Sequence, residues 1–502
     1  MTKSDNKCKI CGRKARNLCI SLGTMICSSC CGSKRGMEIT CSGECQYYPF
    51  SIKGYDLWLK IDGVLSQKIM KYVVSHYDKE EFENVIENML FQDEPTEHTI
   101  ETVSGVVFYY LLFVKKDHQG QSLASKWKSQ EWQGLTNDEC MMMNCRTDNS
   151  YATIIEIQKI LDHQAMECID LLDSKQEKFI LLDRNVAASV CRFTQLLTWL
   201  NHYPYFSRVA NNALELTDMV ADEFMEALRK SFKKESRKQP QLTIKQYLSE
   251  NFGSFCRFNF ELAQERTRAM LSRMDVHHCK ALYTLEGKFE EVKALFDKYP
   301  EFTTQERDPE EEHCPGAYYY DWLRRGASKE LEKEMPSFFR HKDESQGVGI
   351  IGNVSLYPDK LIVETFSKQK YAFAKKMIEK YFKKLVTLKK EAVVDTAKQL
   401  ANRIDKRDED FSIKEIMPIP LEDEQEMMQS FYKYQYEKFL DEKIPALNGV
   451  TPRQAAKDLS MRPMLIKLMK LHLKGIEEQN KDKNLWLNID WLLDELKLHE
   501  LK

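Results

Sequence analysis

The sequence predicts a multidomain α+β chain: an N-terminal two-zinc finger, a helical region, a small antiparallel β domain, a second α/β domain and a C-terminal helical module. Three observations predict it. The chain has 502 residues, whereas one ordinary domain takes ~100–200, so several cores are needed. Eight of the 15 cysteines fall between Cys8 and Cys45. The apolar spacing changes along the chain from helical to strand-like and back again. The expected segments are 1–50 for the zinc-binding domain, 51–148 for the mainly helical region and 149–216 for the small β domain. The α/β domain with long helices follows over 217–413, and the helical module over 414–502.

Composition narrows the function classes. Hydrophobic residues are 42% and charged residues 30%, with only 19 Gly and 14 Pro, which excludes collagen-like and wholly disordered chains. Lys plus Arg number 74 against 77 Asp plus Glu, a net charge of −3, so no general pull toward nucleic acid or acidic membrane follows. The apolar run from Val103 to Val114 is interrupted by Ser104 and Gly105 and falls short of the ~20 residues of a membrane span. The start of the chain is polar and lacks the apolar stretch of a signal peptide. The expectation is a cytoplasmic protein without a membrane partner.

The head carries Cys8-x2-Cys11, Cys19, Cys27-x2-Cys30-Cys31 and Cys41-x3-Cys45. In a reducing compartment such clustering favours thiolate–metal bonds over disulfides. Two intervening residues let paired sulfurs converge on one ion at ~2.3 Å, so Cys8, Cys11, Cys27 and Cys30 read as a four-thiolate site. Cys19, Cys31, Cys41 and Cys45 supply ligands for a second zinc; the order leaves open whether the sites are sequential or interleaved. A head this small cannot bury a core of its own, so both Zn2+ ions are expected to be structural. No His precedes His76, and eight cysteines fill two closed sites, whereas catalytic zinc keeps a position for water. Lys7, Lys9, Arg13, Lys14, Arg16, Lys34 and Arg35 make the head locally basic, which fits phosphate contact or simply a solvated rim.

Helical spacing follows in Leu59, Ile61, Val64, Leu65 and Ile69, and again in Phe82, Val85, Ile86, Met89 and Leu90, with Pro95 as a break. A polar loop lies at Asp117-His118-Gln119-Gly120. From Tyr151 short β-prone runs take over: Ile154-Ile155-Glu156-Ile157, Met166-Glu167-Cys168-Ile169 and Lys178-Phe179-Ile180-Leu181-Leu182, with more strand expected through 187–200 and 206–216. Closely spaced short strands predict a curved sheet or barrel. Helices resume over 218–234, reach the basic stretch 233–238, and restart after Pro240 with Thr243 as cap. The second α/β part reads as strand 277–285, a turn at Gly287, helix 289–299, strand 302–306 and strand 349–356. A turn at Pro358-Asp359, strand 361–364 and a long helix from Ser367 complete it.

Other chemistry is thin. His277-His278-Cys279 and Glu312-His313-Cys314 could gather ligands, but neighbouring residues of a strand face opposite sides. Gly347-Val348-Gly349-Ile350-Ile351-Gly352 has the outline of a nucleotide loop yet precedes a strand instead of joining strand to helix. The acidic run from Asp308 to Glu312 reads as a solvated loop.

The tail opens with an aromatic amphipathic helix over 424–443 bearing Met427, Phe431, Tyr434 and Phe439. Asn448-Gly449 gives a turn, Thr451 an N-cap and Pro452 the first helical position. A further helix is expected from Met464, and a closing segment runs from Leu485 to Leu496. Trp486, Trp491, Phe431 and Tyr434 are large anchors of the kind enriched at interfaces.

Pro445 through Ala456 reads Pro-Ala-Leu-Asn-Gly-Val-Thr-Pro-Arg-Gln-Ala-Ala, and Asn488 to Leu496 holds adjacent Asp490 and Trp491 before Glu495-Leu496. This combination resembles a group of uncharacterised bacterial proteins whose tails carry Ala-Leu-x-Gly-x-Thr-Pro-Arg-x-Ala-Ala and a segment around Asp-x-x-Trp-Leu-x-x-Glu-Leu. The Asn-Gly-x-Thr-Pro portion is also similar to the toxin-binding domain of Xre/MbcA/ParS-type antitoxins. Similar proteins often begin with a cysteine-rich zinc finger, and some carry an α/β middle resembling the stretches from Ile154 to Leu182 and from Val354 to Val386. The resemblance implies a bacterial protein and carries over neither an activity nor catalytic residues.

The functional expectation is a zinc-stabilised cytosolic interaction (adaptor) protein without enzymatic activity, meeting a protein partner through the C-terminal module. The alternative is a nucleic-acid-associated factor using the basic finger. A second alternative is a hydrolase with an unrecognised site.

Overall fold

The computed structural model describes residues 6–89, 107–210, 213–273, 277–305, 316–323, 350–395, 421–483 and 485–502. Pro95, the acidic run 308–312, Glu312-His313-Cys314 and the Gly347–Gly349 part of the glycine motif lie outside them. The chain divides into two compact units, one of Met1–Ala263 with Ile413–Lys502 and one of Gln264–Ser412.

The first unit begins with a hairpin, β1 (Asn17–Cys19) against β2 (Thr24–Ile26), followed by helix α1 (Ser28–Lys34). Helices α2 (Tyr55–Val74), α3 (Lys79–Met89), α4 (Leu123–Ser129) and α5 (Asn137–Asp148) form the expected helical region. Tyr55, Trp58, Leu65 and Val73 recur on one face of α2 and are buried. They join Phe50, Leu111, Trp127 and Met142 in one core, where a fully buried Phe or Leu contributes about 1.5–3 kcal/mol. Gly54 enters α2 where any Cβ would stand 1.9 Å from the Tyr48 carbonyl oxygen, so the close turn admits no side chain. Helix α5 starts at a capping box: the Thr136 N–H donates to Glu139 Oε2 at 2.6 Å.

Next come β3 (Ser150–Ile160), β4 (Ala165–Asp170), β5 (Phe179–Leu182), α6 (Arg184–Ser189), β6 (Gln195–His202), β7 (Ser207–Val209) and β8 (Leu214–Leu216). β3 pairs with both β4 and β6, and β5, β7 and β6 complete the circuit, so the sheet closes into a barrel with β8 added on β6. Alternation explains the two cores: Ile155, Ile157, Leu196 and Leu200 point inward, while Ala152, Ile154, Leu197 and Trp199 meet the helices outside. An irregularity between Ile157 and Lys159 lets the long strand bend. Two expectations need correction. The stretch 187–200 is not one strand, because Asp183 accepts from the N–H groups of Asn185 and Val186 at 3.0 and 3.1 Å and nucleates α6. The domain is not wholly antiparallel either, since β5 and β7 pair in parallel at Leu181 and Ser207.

Outside the barrel lie α7 (Ala221–Ser236), α8 (Ile244–Glu250), capped by Thr243 as expected, and α9 (Phe252–Arg273). The second unit is an antiparallel sheet with helices against it. Its elements are β9 (His277–Leu285), α10 (Phe289–Lys298), β10 (Phe302–Thr304), β11 (Tyr318–Leu323), β12 (Ile350–Leu356), β13 (Lys360–Thr365), α11 (Lys368–Phe382) and β14 (Val386–Asp395). The strand order is β10-β11-β12-β13-β9-β14. Buried Cys279, Ala281, Tyr283, Val354 and Val363 pack with Phe296 and Met377 of the helices.

The tail, part of the first unit, holds α12 (Leu421–Phe439), α13 (Pro452–Ala455), α14 (Arg462–Lys483) and α15 (Asp490–Glu495). Asn448 takes the left-handed conformation at φ 54, and Thr451 caps α13 with Pro452 at its first position. The helix expected from Met464 begins at Arg462. The tail docks on the barrel. Phe193, itself left-handed at φ 65, sits in the tail's core with Leu473 and Leu492. Arg192 binds Glu477 through its side chain and also through its N–H at 2.9 Å. Lys470 pairs with buried Glu156, and Lys474 with Glu215 at 2.8 Å. Among the described residues no helix is long and apolar enough to cross a membrane.

Candidate metal centre

Four cysteines converge in the head. The Sγ atoms of Cys8, Cys11, Cys27 and Cys30 lie within 4.8 Å of one another. A zinc ion with ~2.3 Å bonds holds its tetrahedral sulfurs about 3.8 Å apart, and Cys11 Sγ stands 3.6 Å from Cys27 Sγ. The residues therefore fit a four-thiolate ion. Local structure produces the fit. Gly12, at φ 71, closes a tight turn by donating to the Cys8 carbonyl at 2.8 Å, and Cys8 donates to the Arg13 carbonyl at 2.7 Å. Lys9 N–H binds the Met25 carbonyl at 3.0 Å, which brings the first knuckle beside the hairpin. Cys27 caps α1 with its sulfur, 3.4 Å from the Cys30 N–H.

The electrostatics suit thiolates. Burial raises the Cys8 thiol, but N–H bonds from Cys27, Cys11 and Ile10 outweigh it and bring the thiol down to about 6. Cys27 is lowered first by the Cys30 N–H. Cys30 is pushed up to about 12 by the neighbouring Cys11 and Cys27 sulfurs. Crowded thiolates repel, and a cation reverses that sign.

Among the described residues no second group of cysteines converges as tightly, so one metal cluster stands where two were expected. Cys19, Cys31, Cys41 and Cys45 nevertheless feel one another. Burial raises the Cys31 thiol and the charges of Cys45 and Cys19 add to it; Cys41 is raised by burial, and Cys45, Cys31 and Cys19 add likewise. The Ser42 N–H reaches Ser21 Oγ at 3.2 Å, tying the Cys41 loop to the hairpin loop beside Cys19.

The head is clamped to the helical region. Arg35 Nε donates to Asp138 Oδ1 at 2.8 Å and Nη2 donates to Oδ2. Asn137 Nδ2 donates to the Gly32 carbonyl at 3.0 Å and to that of Arg35 at 3.3 Å. Tyr205 from the barrel donates to the Cys41 carbonyl at 3.0 Å. Sequence reading placed Arg35 only on a basic rim and did not single out Asn137 or Asp138. The Thr136 capping box marks that helix start, but nothing local marks its partner. Lys7, Lys9, Arg13, Lys14 and Arg16 are exposed, as are Leu18, Ile20 and Leu22 of the hairpin.

Elsewhere His277 is buried and His278 half-exposed on successive positions of β9, which separates them as alternation requires. Of the tail aromatics, Trp486 is 80% exposed and Phe431 51%, whereas Trp491 is partly buried in the tail core. No protein-family model, curated protein or solved structure matches the chain.

Proposed function

We propose that this chain is a zinc-stabilised interaction (adaptor) protein, with two structural Zn2+ ions in the head and a protein-binding surface on the tail. The observation that carries the reading is the closed set of Cys8, Cys11, Cys27 and Cys30, whose four sulfurs fill a tetrahedral ion and leave no position for substrate. The second ion would use Cys19, Cys31, Cys41 and Cys45. Cys30 and Cys31 are adjacent on α1, and neighbouring helical residues point ~100° apart. They therefore serve different ions, and the two sites interleave. Exposed Trp486 and Phe431 supply the anchors of a partner surface. The likeness of the tail to antitoxin toxin-binding domains points the same way, toward a bacterial protein partner. Thiolates of this number stay metal-competent in a reducing compartment, which fits the cytoplasm.

The test is a pull-down from a bacterial host, repeated with a W486S/F431S variant. The reading holds if one defined partner is lost with an unchanged melting temperature. It fails if the variant retains everything the parent captures.

A second reading is nucleic-acid association through the head, favoured by exposed Lys9, Arg13, Lys14 and Arg16 beside the knuckle. Binding of an oligonucleotide should then fall steeply with added salt and vanish on charge reversal at Arg13, Lys14 and Arg16. No binding at low salt removes this reading.

A further inference from the structure

We infer that the cavity beside Arg146 is a binding site for a small molecule carrying a carboxylate or phosphate on a flat ring. This stands apart from the cysteine-rich head and the tail. Arg146 lies in the last turn of α5 and is 9% exposed. Its Nη2 donates to Asp62 Oδ1 and its Nε to the Tyr203 hydroxyl at 3.2 Å. Among the described residues nothing accepts a hydrogen bond from Nη1. The guanidinium keeps its charge and Nη1 is not sealed from solvent, so its two N–H groups can take a ligand oxygen in place of water.

Space for that acceptor is present. Arg146 borders a cavity of about 360 Å³, and together with Tyr109 and Phe113 it also borders a second cavity of about 260 Å³. The larger one lies in the size range of ligand pockets. Trp199 and Phe113 give it an aromatic lining, and Ser125, Lys116 and Glu250, all exposed to solvent, line it as well. A planar body would lie against the aromatic lining, where ring faces contribute most. Its oxyanion would take the free edge of the guanidinium, the geometry for which arginine is suited. Asp62 stays on the Nη2 side and lines only the smaller cavity, so it does not occupy that edge.

The experiment is titration calorimetry on the full chain with adenosine 5′-monophosphate, indole-3-acetate and inorganic phosphate, which separates a phosphate source from a carboxylate source. At least one ring-bearing probe should bind about tenfold or more tighter than bare phosphate. Ser125→Phe keeps the Ser125 N–H bond to Ser122 Oγ and places a ring in the cavity lining; it should weaken that probe about tenfold or more at unchanged melting temperature. Arg146→Lys keeps the charge opposite Asp62 but loses the fork, and should weaken it likewise. If neither ring-bearing probe outbinds phosphate, or if binding is indifferent to Ser125→Phe, the inference is wrong.

Discussion

Arg35 and Asp138 stand 103 positions apart in sequence and meet as a two-bond ion pair, Nε to Oδ1 at 2.8 Å and Nη2 to Oδ2. Both side chains are mostly withdrawn from water, 12% and 15% exposed. Asp138 also lies in the first turn of α5, where a carboxylate meets the positive end of the helix. The pair therefore joins the cysteine-rich head to the helical core with a charge-assisted fork, a stronger contact than a surface ion pair. Replacing Arg35 by Leu should lower unfolding stability by about 1.5–3 kcal/mol in urea titration. Adding Asp138→Leu should then cost much less than it does alone, because the partner charge is already gone. Strict additivity of the two changes would show that the contact transmits nothing.

The head was legible because its spacing is chemically specific. Cys-x2-Cys twice over has few uses besides a metal, and Cys8, Cys11, Cys27 and Cys30 do converge. The barrel strands were legible as short β-prone runs, as in Ile154 to Ile157, whose four residues are all buried. Helix α6 was not, since Val186, Ala187 and Ala188 suit strand or helix and the decision falls to the Asp183 cap. Strand β14 was missed because Lys389, Lys390 and Glu391 break the apolar pattern, as charges on an edge strand do. Arg35–Asp138 and the Arg146 cavity had no local signature at all, because each is assembled from segments far apart in sequence.

Metal content should partition with the cysteines. Protein prepared without chelator should carry two zinc ions by elemental analysis. Cys27→Ser should remove one and Cys31→Ser the other, since the interleaved assignment puts these residues in different sites. A parent content of one ion, unchanged by Cys31→Ser, would dismiss the second ion while leaving the first intact. Stripping both ions should unfold the head, whose own apolar core is only Cys8, Ala15, Ile26, Cys27 and Ile39 with partly buried neighbours.

The tail should prove inseparable from the barrel. Phe193 is 7% exposed and lies among Leu447, Leu473 and Leu492 of the tail. Its left-handed backbone, at φ 65, costs about 1–2 kcal/mol for an L-residue, and the burial of its ring offsets that. Phe193→Ala should destabilise by about 3–5 kcal/mol. Truncation after Ile413 should strip the cover from Phe193 and leave Arg192 and Glu156 without Glu477 and Lys470. The truncated chain should melt far lower or aggregate. A truncated chain that is soluble and melts as the parent does would show instead that the tail is only attached.

Acid should weaken the first unit through two histidines before it touches the carboxylates. His202 sits between Tyr151, whose hydroxyl is 2.7 Å from Nε2, and Ser207, whose Oγ is 2.6 Å from Nδ1. Burial lowers its pKa, the Lys245 ammonium lowers it further, and Asp170 opposes them. His472 is lowered by burial alone and contacts the Tyr436 hydroxyl at 3.1 Å. Both are therefore held neutral in the folded chain. As pH falls through the ordinary histidine value of about 6.5, the unfolded chain takes up these protons first. The unfolded state then binds more protons, so the stabilisation present above about 6.5 declines as the solution is acidified. Ordinary carboxylates titrate near 4, so the interval from about pH 7.5 to 5.5 holds these histidines together with the Cys8 thiol, and only a variant lacking the histidines separates their share. The urea midpoint should drop across that interval in the parent chain. A His202→Gln/His472→Gln variant has nothing to titrate at these positions and should show a smaller drop. An equal drop in both proteins would assign the acid sensitivity elsewhere.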